Sequence, residues 1–211
     1  MLSDKKIRPA SLFVFAAPSG AGKTTLVHAL MTKHSDDLRF SISYTTRKPR
    51  SNEADGVDYL FIDVKKFMDL RKSSELLEHA EVFGNYYATS RSQVEAHLSK
   101  KLNVVLEIDW QGAQQVRKSM PECITIFIMP PSIKELARRL RERRTDKPKI
   151  IERRLKDAKG DMSHWDEFDY VVVNENLNDA IIDLESILNG TGDDLLSSNN
   201  RLRDRVKNIL N

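Results

Sequence analysis

Apolar positions along the chain fall into short unbroken runs, separated by stretches in which they recur every three or four residues. Ser11-Leu12-Phe13-Val14-Phe15-Ala16-Ala17 is unbroken and ends at Pro18-Ser19-Gly20. That is the pattern of a strand buried on both faces, and so of a parallel sheet. From about Gly22 to His34, Leu26, Leu30 and Met31 share one face of a predicted helix. The strand signal returns at Val104-Val105-Leu106-Glu107-Ile108, Ile124 to Met129 and Tyr170-Val171-Val172-Val173. Each run precedes a helical pattern, starting near Gly112, at Ser132 and near Leu177. Ser132 with Glu135 three positions on predicts a reciprocal helix cap. The alternation of strand and helix predicts a three-layer α/β fold.

Between about residues 40 and 101 the pattern breaks into short polar and aromatic segments, including Tyr59-Leu60-Phe61-Ile62 and Asn85-Tyr86-Tyr87. An inserted, partly antiparallel subdomain is expected there. After Gly190-Thr191-Gly192-Asp193-Asp194 comes a charged helix, Asn200 to Leu210, which reads either as peripheral packing or as a subunit contact in a homo-oligomer.

A length of 211 residues suits one compact unit, and 40% hydrophobic with 31% charged residues excludes a disordered chain. No apolar run approaches the roughly 20 residues of a membrane span, and the opening Met1-Leu2-Ser3-Asp4-Lys5-Lys6 lacks a secretory apolar stretch. A cytoplasmic location follows as the expectation, with no membrane partner. Cys123, the single cysteine, lies in an apolar run and reads as an inert strand thiol. The five histidines show no ligand spacing, which argues against a structural metal site.

The first strand run leads into Ala17-Pro18-Ser19-Gly20-Ala21-Gly22-Lys23-Thr24. This fits the phosphate-loop pattern from Gly22 onward, with Ala17 where the first glycine would stand. Such a loop turns successive backbone N–H groups inward around a phosphate, and Gly20 and Gly22 supply the freedom nearest the ligand. Lys23 is expected to reach the β- and γ-phosphates, and Thr24 to offer its hydroxyl to Mg²⁺. The following helix points its positive end at the anion. A chance glycine turn is the competing reading, but the motif lies between a buried strand and an amphipathic helix, where its mechanism requires it. Nucleoside triphosphate binding is expected, and the phosphoryl acceptor stays open.

Ser41-Ile42-Ser43-Tyr44-Thr45-Thr46-Arg47-Lys48-Pro49-Arg50 brings two arginine forks three positions apart, suited to a phosphate monoester. Alone, this stretch reads better as an exposed basic loop, Glu78 as an exposed helix carboxylate, and Tyr59 and Tyr87 as core aromatics. They do not stand alone. With the phosphate loop, Asp55-Gly56-Val57-Asp58-Tyr59, Gly84-Asn85-Tyr86-Tyr87-Ala88-Thr89 and Ile108-Asp109-Trp110-Gln111-Gly112, in order from about Leu12 to Leu188, the chain resembles the guanylate kinase family.

The resemblance implies a P-loop fold, three-layer α/β/α with a parallel core sheet, an inserted GMP-binding subdomain and a helical lid. The implied reaction moves the γ-phosphoryl group of ATP onto GMP, and onto dGMP, in purine nucleotide metabolism and GMP recycling, with Mg²⁺ arriving with ATP. Arg47, Arg50, Tyr59 and Tyr87 would then hold the GMP phosphate, while Ser43, Glu78 and Thr89 read the base. Asp109 would lie beside the acceptor, with Glu107 sharing that role. Ala17, Pro18, Ser19, Gly20, Ala21, Gly22, Lys23 and Thr24 would hold ATP, with Asn174 near the adenine. Lys23, Arg139, Arg143 and Arg154 would be catalytic through positioning and cationic stabilisation, without a nucleophilic side chain. Guanine offers N1–H and N2–H₂ as adjacent donors, and a carboxylate accepts both. Adenine presents a lone pair at N1 instead, at a penalty of roughly 1–3 kcal/mol.

Charge is uneven: Lys134 to Lys159 holds twelve Lys or Arg against five Asp or Glu, so a chain of net +3 has a local +7 and −4 elsewhere. Composition alone leaves a solvated helix face, a nucleic-acid patch and a grip on small anions equally open. The resemblance implies a lid here, with Arg144 at a common glycine and Lys147-Pro148-Lys149 where acidic residues are usual, departures that bear on lid mobility and not on the reaction. Arg138, Arg141 and Arg153 read as solvated as readily as functional. The expected division is a core of about 10–39, 102–131 and 168–190, a GMP-binding subdomain of 40–101, a lid of 132–167 and a terminal helix of 198–211. Competing readings are a peptide-binding module, opposed by Lys23, Thr24 and the lid arginines, a kinase for another phosphate ester, opposed by Ser43, Glu78 and Thr89, and an RNA-binding face. ATP and GMP are the expected partners, with no nucleic acid.

Overall fold

Side chains of β1 (Leu12–Ala16) divide between two cores. Leu12, Val14 and Ala16 pack on one side, Phe13 and Phe15 on the other, so both faces of the strand need cover. The structure, a computed structural model, describes residues 9–51, 53–82, 84–142 and 148–210. Among them β1 lies at the centre of a five-stranded sheet ordered β2-β7-β1-β8-β9. Its other members are β2 (Leu38–Phe40), β7 (Asn103–Glu107), β8 (Ile124–Met129) and β9 (Tyr170–Val173), all pairing in parallel. These are the apolar runs read from the sequence, with β2 added.

Helices α1 (Lys23–Lys33) and α7 (Leu177–Leu188) cover the Phe13 face with Leu26, Val27, Leu30, Leu184 and Ile187. The opposite face is covered by α4 (Trp110–Ser119), α5 (Ile133–Glu142), α6 (Pro148–Met162) and α8 (Asn200–Leu210). Each fully buried Leu, Val or Phe contributes about 1.5–3 kcal/mol. Helix α8 is seated by Leu202, Val206 and Ile209, and the Arg203 guanidinium lies 5.1 Å above the Trp165 ring. Packing of the terminal helix against the core is therefore observed. The cap expected at Ser132 forms only by half: Ser132 Oγ accepts from Glu135 N–H at 3.0 Å. The Glu135 carboxylate turns instead to Arg138 and Arg139, because two guanidinium partners outcompete one backbone N–H.

Residues 44–90 carry a second, four-stranded sheet ordered β4-β3-β6-β5, formed by β3 (Tyr44–Thr45), β4 (Leu60–Phe61), β5 (Leu76–Val82) and β6 (Asn85–Ser90). Pairing is antiparallel except between β3 and β4. Two helices that the apolar pattern had not singled out flank it: α2 (Val64–Lys72), capped by Asp63, and α3 (Arg91–Ser99), capped by Ser90. In the main sheet the chain leaves β1 toward β2 on one side and β8 toward β9 on the other. Their connections part, opening a crevice at the carboxyl ends of the strands, where ligands bind in sheets of this kind.

Candidate active site

The loop after β1 is shaped by two glycines in the left-handed region, Gly20 at φ 96° and Gly22 at φ 94°. At Gly22 space is limiting as well, since a Cβ would sit 2.4 Å from Asn174 Nδ2. Side chains cap α2, α3, α4 and α7, but the cap position of α1 is Gly22, which has none. The first-turn N–H groups of α1 are thereby left to an anion. Lys23 Nζ donates to the Ile108 carbonyl at 2.5 Å. Burial lowers its pKa, while Glu107, Asp109 and Asp161 oppose that shift. Parallel register sets Phe15 beside Glu107, so the end of β7 delivers a carboxylate to the loop, and the Thr24 hydroxyl hydrogen-bonds to it. Hydroxyl and carboxylate oxygens form a donor pair suited to a hard divalent cation.

The Asn174 side chain is almost fully buried, and its amide donates to the Ala21 carbonyl at 2.8 Å. It also borders a cleft of about 420 Å³ with Gly20, Thr25, Arg139, Glu175 and Leu177. Arg139 reaches the same loop from α5, donating to the carbonyls of Ala21 at 3.3 Å and Asn174 at 3.0 Å. Arg154 lies half-buried on α6. Arg143 lies outside the described residues, with Arg144 and Lys147. Arg138 bridges Glu135 and Glu142 at the exposed surface, and Arg141 is exposed, in keeping with solvated positions.

On the other side of the crevice, Arg47 makes a two-pronged contact with Glu53, at 2.8 and 2.9 Å. Glu53 also accepts from the Arg50 backbone N–H at 2.7 Å. These hydrogen bonds, that of Arg47 foremost, hold the Glu53 carboxyl down at about 2. The Arg47 guanidinium lies 5.3 Å from the centre of the Tyr59 ring, and the Tyr59 and Tyr87 rings meet edge-on at 6.0 Å. The Arg50 side chain is 72% exposed, with its guanidinium 3.8 Å from the Glu53 carboxylate. Tyr59 and Ser43 line a cleft of about 680 Å³ together with Thr24, His28, Asp58 and Glu107. Residues from the phosphate loop and from the segments leading into β3 and β4 thus share one cavity.

Glu78 is on strand β5, 5% exposed, where the sequence alone suggested an exposed helix carboxylate. Its partner across the pair is Thr89, whose hydroxyl donates to Glu78 Oε1 at 2.7 Å. Burial pushes the Glu78 carboxyl up to about 7; the Thr89 hydrogen bond opposes this and the Asp109 charge adds to it. Asp109 caps α4 by accepting from the Gly112 N–H at 2.7 Å. A Cβ on Gly112 would lie 3.2 Å from Glu78 Oε2 and 3.3 Å from Asp109 Oδ1, so the bare helix backbone sits between the two carboxylates.

The sequence reading missed three participants. Glu53 organises both arginines, yet its only signal is an acidic residue three positions after Arg50. Gly112 admits Glu78 to the face of α4. Trp110 stacks on His164 at 3.4 Å between ring centres, and its indole N–H donates to Asp161 at 3.2 Å. That contact ties the start of α4 to the end of α6, and nothing in the local pattern announces it.

A family model described as "Guanylate kinase" matches residues 9–191. The chain is 46% identical over 202 residues to a guanylate kinase of Alkalilimnicola ehrlichii, covering 96% of this chain and 99% of that one. It is 52% identical over 177 residues to a guanylate kinase of Hydrogenovibrio crunogenus, covering 84% and 86%. Its structure is similar to the crystal structure of guanylate kinase from Anaplasma phagocytophilum, with a TM-score of 0.68, 36% identity and 87% of each chain covered.

Proposed function

The chain belongs to the guanylate kinase family and transfers the γ-phosphoryl group of ATP to GMP, giving ADP and GDP; we propose that its residues divide this work as follows. The loop from Ala17 to Thr24 cradles the ATP phosphates on its N–H groups, with Lys23 as a mobile point charge for the β- and γ-phosphates. Arg139 holds the outer side of that loop, and Asn174 borders the adenine side. Thr24, with Glu107 beside it, would hold Mg²⁺, which when bound neutralises phosphate charge. On the acceptor side Arg47, Arg50, Tyr59 and Tyr87 take the GMP phosphate. Arg47 arrives pre-ordered by its two hydrogen bonds to Glu53, whereas Arg50, more exposed and at a longer distance from the same carboxylate, is held less tightly.

Glu78, in its ionised form, accepts N1–H and N2–H₂ of guanine, and Ser43 and Thr89 complete the recognition of the base. Asp109 borders the acceptor. Arg139, Arg143 and Arg154 supply positive charge from the lid as the transferring group passes between the two nucleotides. Closure of lid and second sheet excludes water, so that ATP is transferred and not hydrolysed. The cytoplasm is the proposed location; among the described residues no helix is long and apolar enough to cross a membrane.

The observation carrying this division is the single cleft shared by Thr24 and Glu107 from the donor side and Ser43 and Tyr59 from the acceptor side. Its test is coupled ADP release with ATP, Mg²⁺ and GMP, AMP, CMP, UMP or dTMP in parallel. Release with GMP far above the rest is expected. Equal release with AMP would remove the base-reading role of Glu78.

A further inference from the structure

Among the described residues β5 is an edge strand, with β6 on one side only. Backbone groups of alternate residues face away from β6, and an unpaired edge of this kind needs partners when covered. Helix α4 lies against it and supplies them from side chains. The Gln115 amide forms both halves of a strand-like pair with His79: its Oε1 accepts from the His79 N–H at 3.1 Å and its Nε2 donates to the His79 carbonyl at 3.1 Å. One turn further on, Ser119 Oγ donates to the Leu77 carbonyl at 3.2 Å. Four residues of helix advance about 6 Å and two residues of strand about 6.6 Å, so positions 115 and 119 match positions 79 and 77. Glu78 stands between the two anchored residues. Gly112, one turn before Gln115 on the same side of α4, is the point against which its carboxylate rests.

We infer that Gln115 is a positioning residue for base discrimination: by occupying the open edge of β5 as a missing strand would, it fixes Glu78 against Gly112 and Asp109. This inference rests on the reading that Glu78 faces the guanine. A bulge between Leu76 and Glu78 loosens the β5–β6 register at this place, so pairing with β6 alone leaves Glu78 free to shift, and the second edge is what holds it. Loss of the clamp should move the carboxylate by a fraction of its hydrogen-bond length while leaving the phosphate loop, on the far side of the main sheet's crevice, in place.

The experiment compares kcat/KM for GMP and for inosine monophosphate, which keeps N1–H but lacks the 2-amino group, in the full chain. Gln115→Leu removes both hydrogen bonds at similar volume. Its KM for GMP should rise about tenfold with kcat changed less than about threefold, the scale of one lost charge-assisted hydrogen bond. The GMP-to-inosine-monophosphate ratio should fall by a similar factor. Gln115→Met likewise removes both hydrogen bonds on an unbranched side chain and should shift both values in the same direction. It supplies the reading if the leucine variant does not fold. A lower melting temperature with an unchanged ratio in the folded variants would overturn the inference and leave Gln115 a packing residue. Glu78→Gln, measured alongside, separates the two ideas. If it leaves the ratio unchanged, the base-reading role of Glu78 fails, and the clamp inference fails with it. If it lowers the ratio and the Gln115 variants do not, the clamp inference fails alone.

Discussion

Thr89 donates its hydroxyl hydrogen to Glu78 at 2.7 Å from the directly opposed position on the neighbouring strand. That contact meets Oε1 of the buried Glu78 carboxylate, and a hydrogen bond from the Thr89 backbone acts in the same direction, both favouring the ionised form. The other oxygen, Oε2, faces the α4 backbone at Gly112. Burial outweighs these hydrogen bonds and, with the Asp109 charge adding to it, raises the carboxyl to about 7.

The first prediction follows from that value, with the direction worked through. Guanine binding requires the ionised carboxylate, so below about 7 the site must first release a proton. KM for GMP should therefore fall as pH rises, by about tenfold per unit below pH 7, and level off above it. Asp109, the other carboxylate facing this site, is exposed. Steady-state kinetics at saturating ATP from pH 5.5 to 8.5 will show this profile, and a flat profile would remove it.

Stability of the free protein should run the opposite way. The folded carboxyl binds its proton more tightly than the unfolded one, whose ordinary value is 4.5. The stabilising contribution is present below pH 4.5 and is lost as pH rises toward 7, amounting to about 3 kcal/mol at the far end. Glu78→Gln should flatten this slope in urea titrations at pH 5 and pH 8, and an equal slope in both proteins would contradict the buried, protonated acid.

Gly112→Ala separates helix stability from the site. Alanine gains about 1 kcal/mol of helix propensity, yet its methyl would press on Glu78, Asp109 and Ile108 at 3.2–3.3 Å. KM for GMP should rise by about tenfold or more, with a melting temperature close to that of the parent.

Glu53→Gln should loosen Arg47 without removing it. Loss of the two-pronged contact is expected to raise KM for GMP several-fold, because a guanidinium no longer held in place must be ordered when the ligand binds. KM for ATP should not change. A parallel rise in both would show a general loss of structure.

Lys23→Ala should lower kcat by a factor of about 10³ or more, as expected when a transition-state cation is removed from a phosphoryl-transfer site. Single-turnover ADP release measures it, and near-parental turnover would contradict the loop's role.

What the sequence determined is whatever its local pattern encodes. Continuous apolar runs marked β1, β7, β8 and β9, because a strand buried on both faces has no polar period. The order of glycines and Lys23 marked the phosphate loop, because that geometry is made by consecutive residues. The tertiary structure alone decided the state of Glu78. Its neighbours look like those of a surface helix, and it became a buried acid only when residues 89 and 112 closed over it. Glu53 beside Arg47, Trp110 on His164 and Gln115 on the edge of β5 belong to the same class. Each is an ordinary polar or aromatic residue whose role depends on a partner brought close by loop or sheet topology, and a one-dimensional pattern carries no record of that distance.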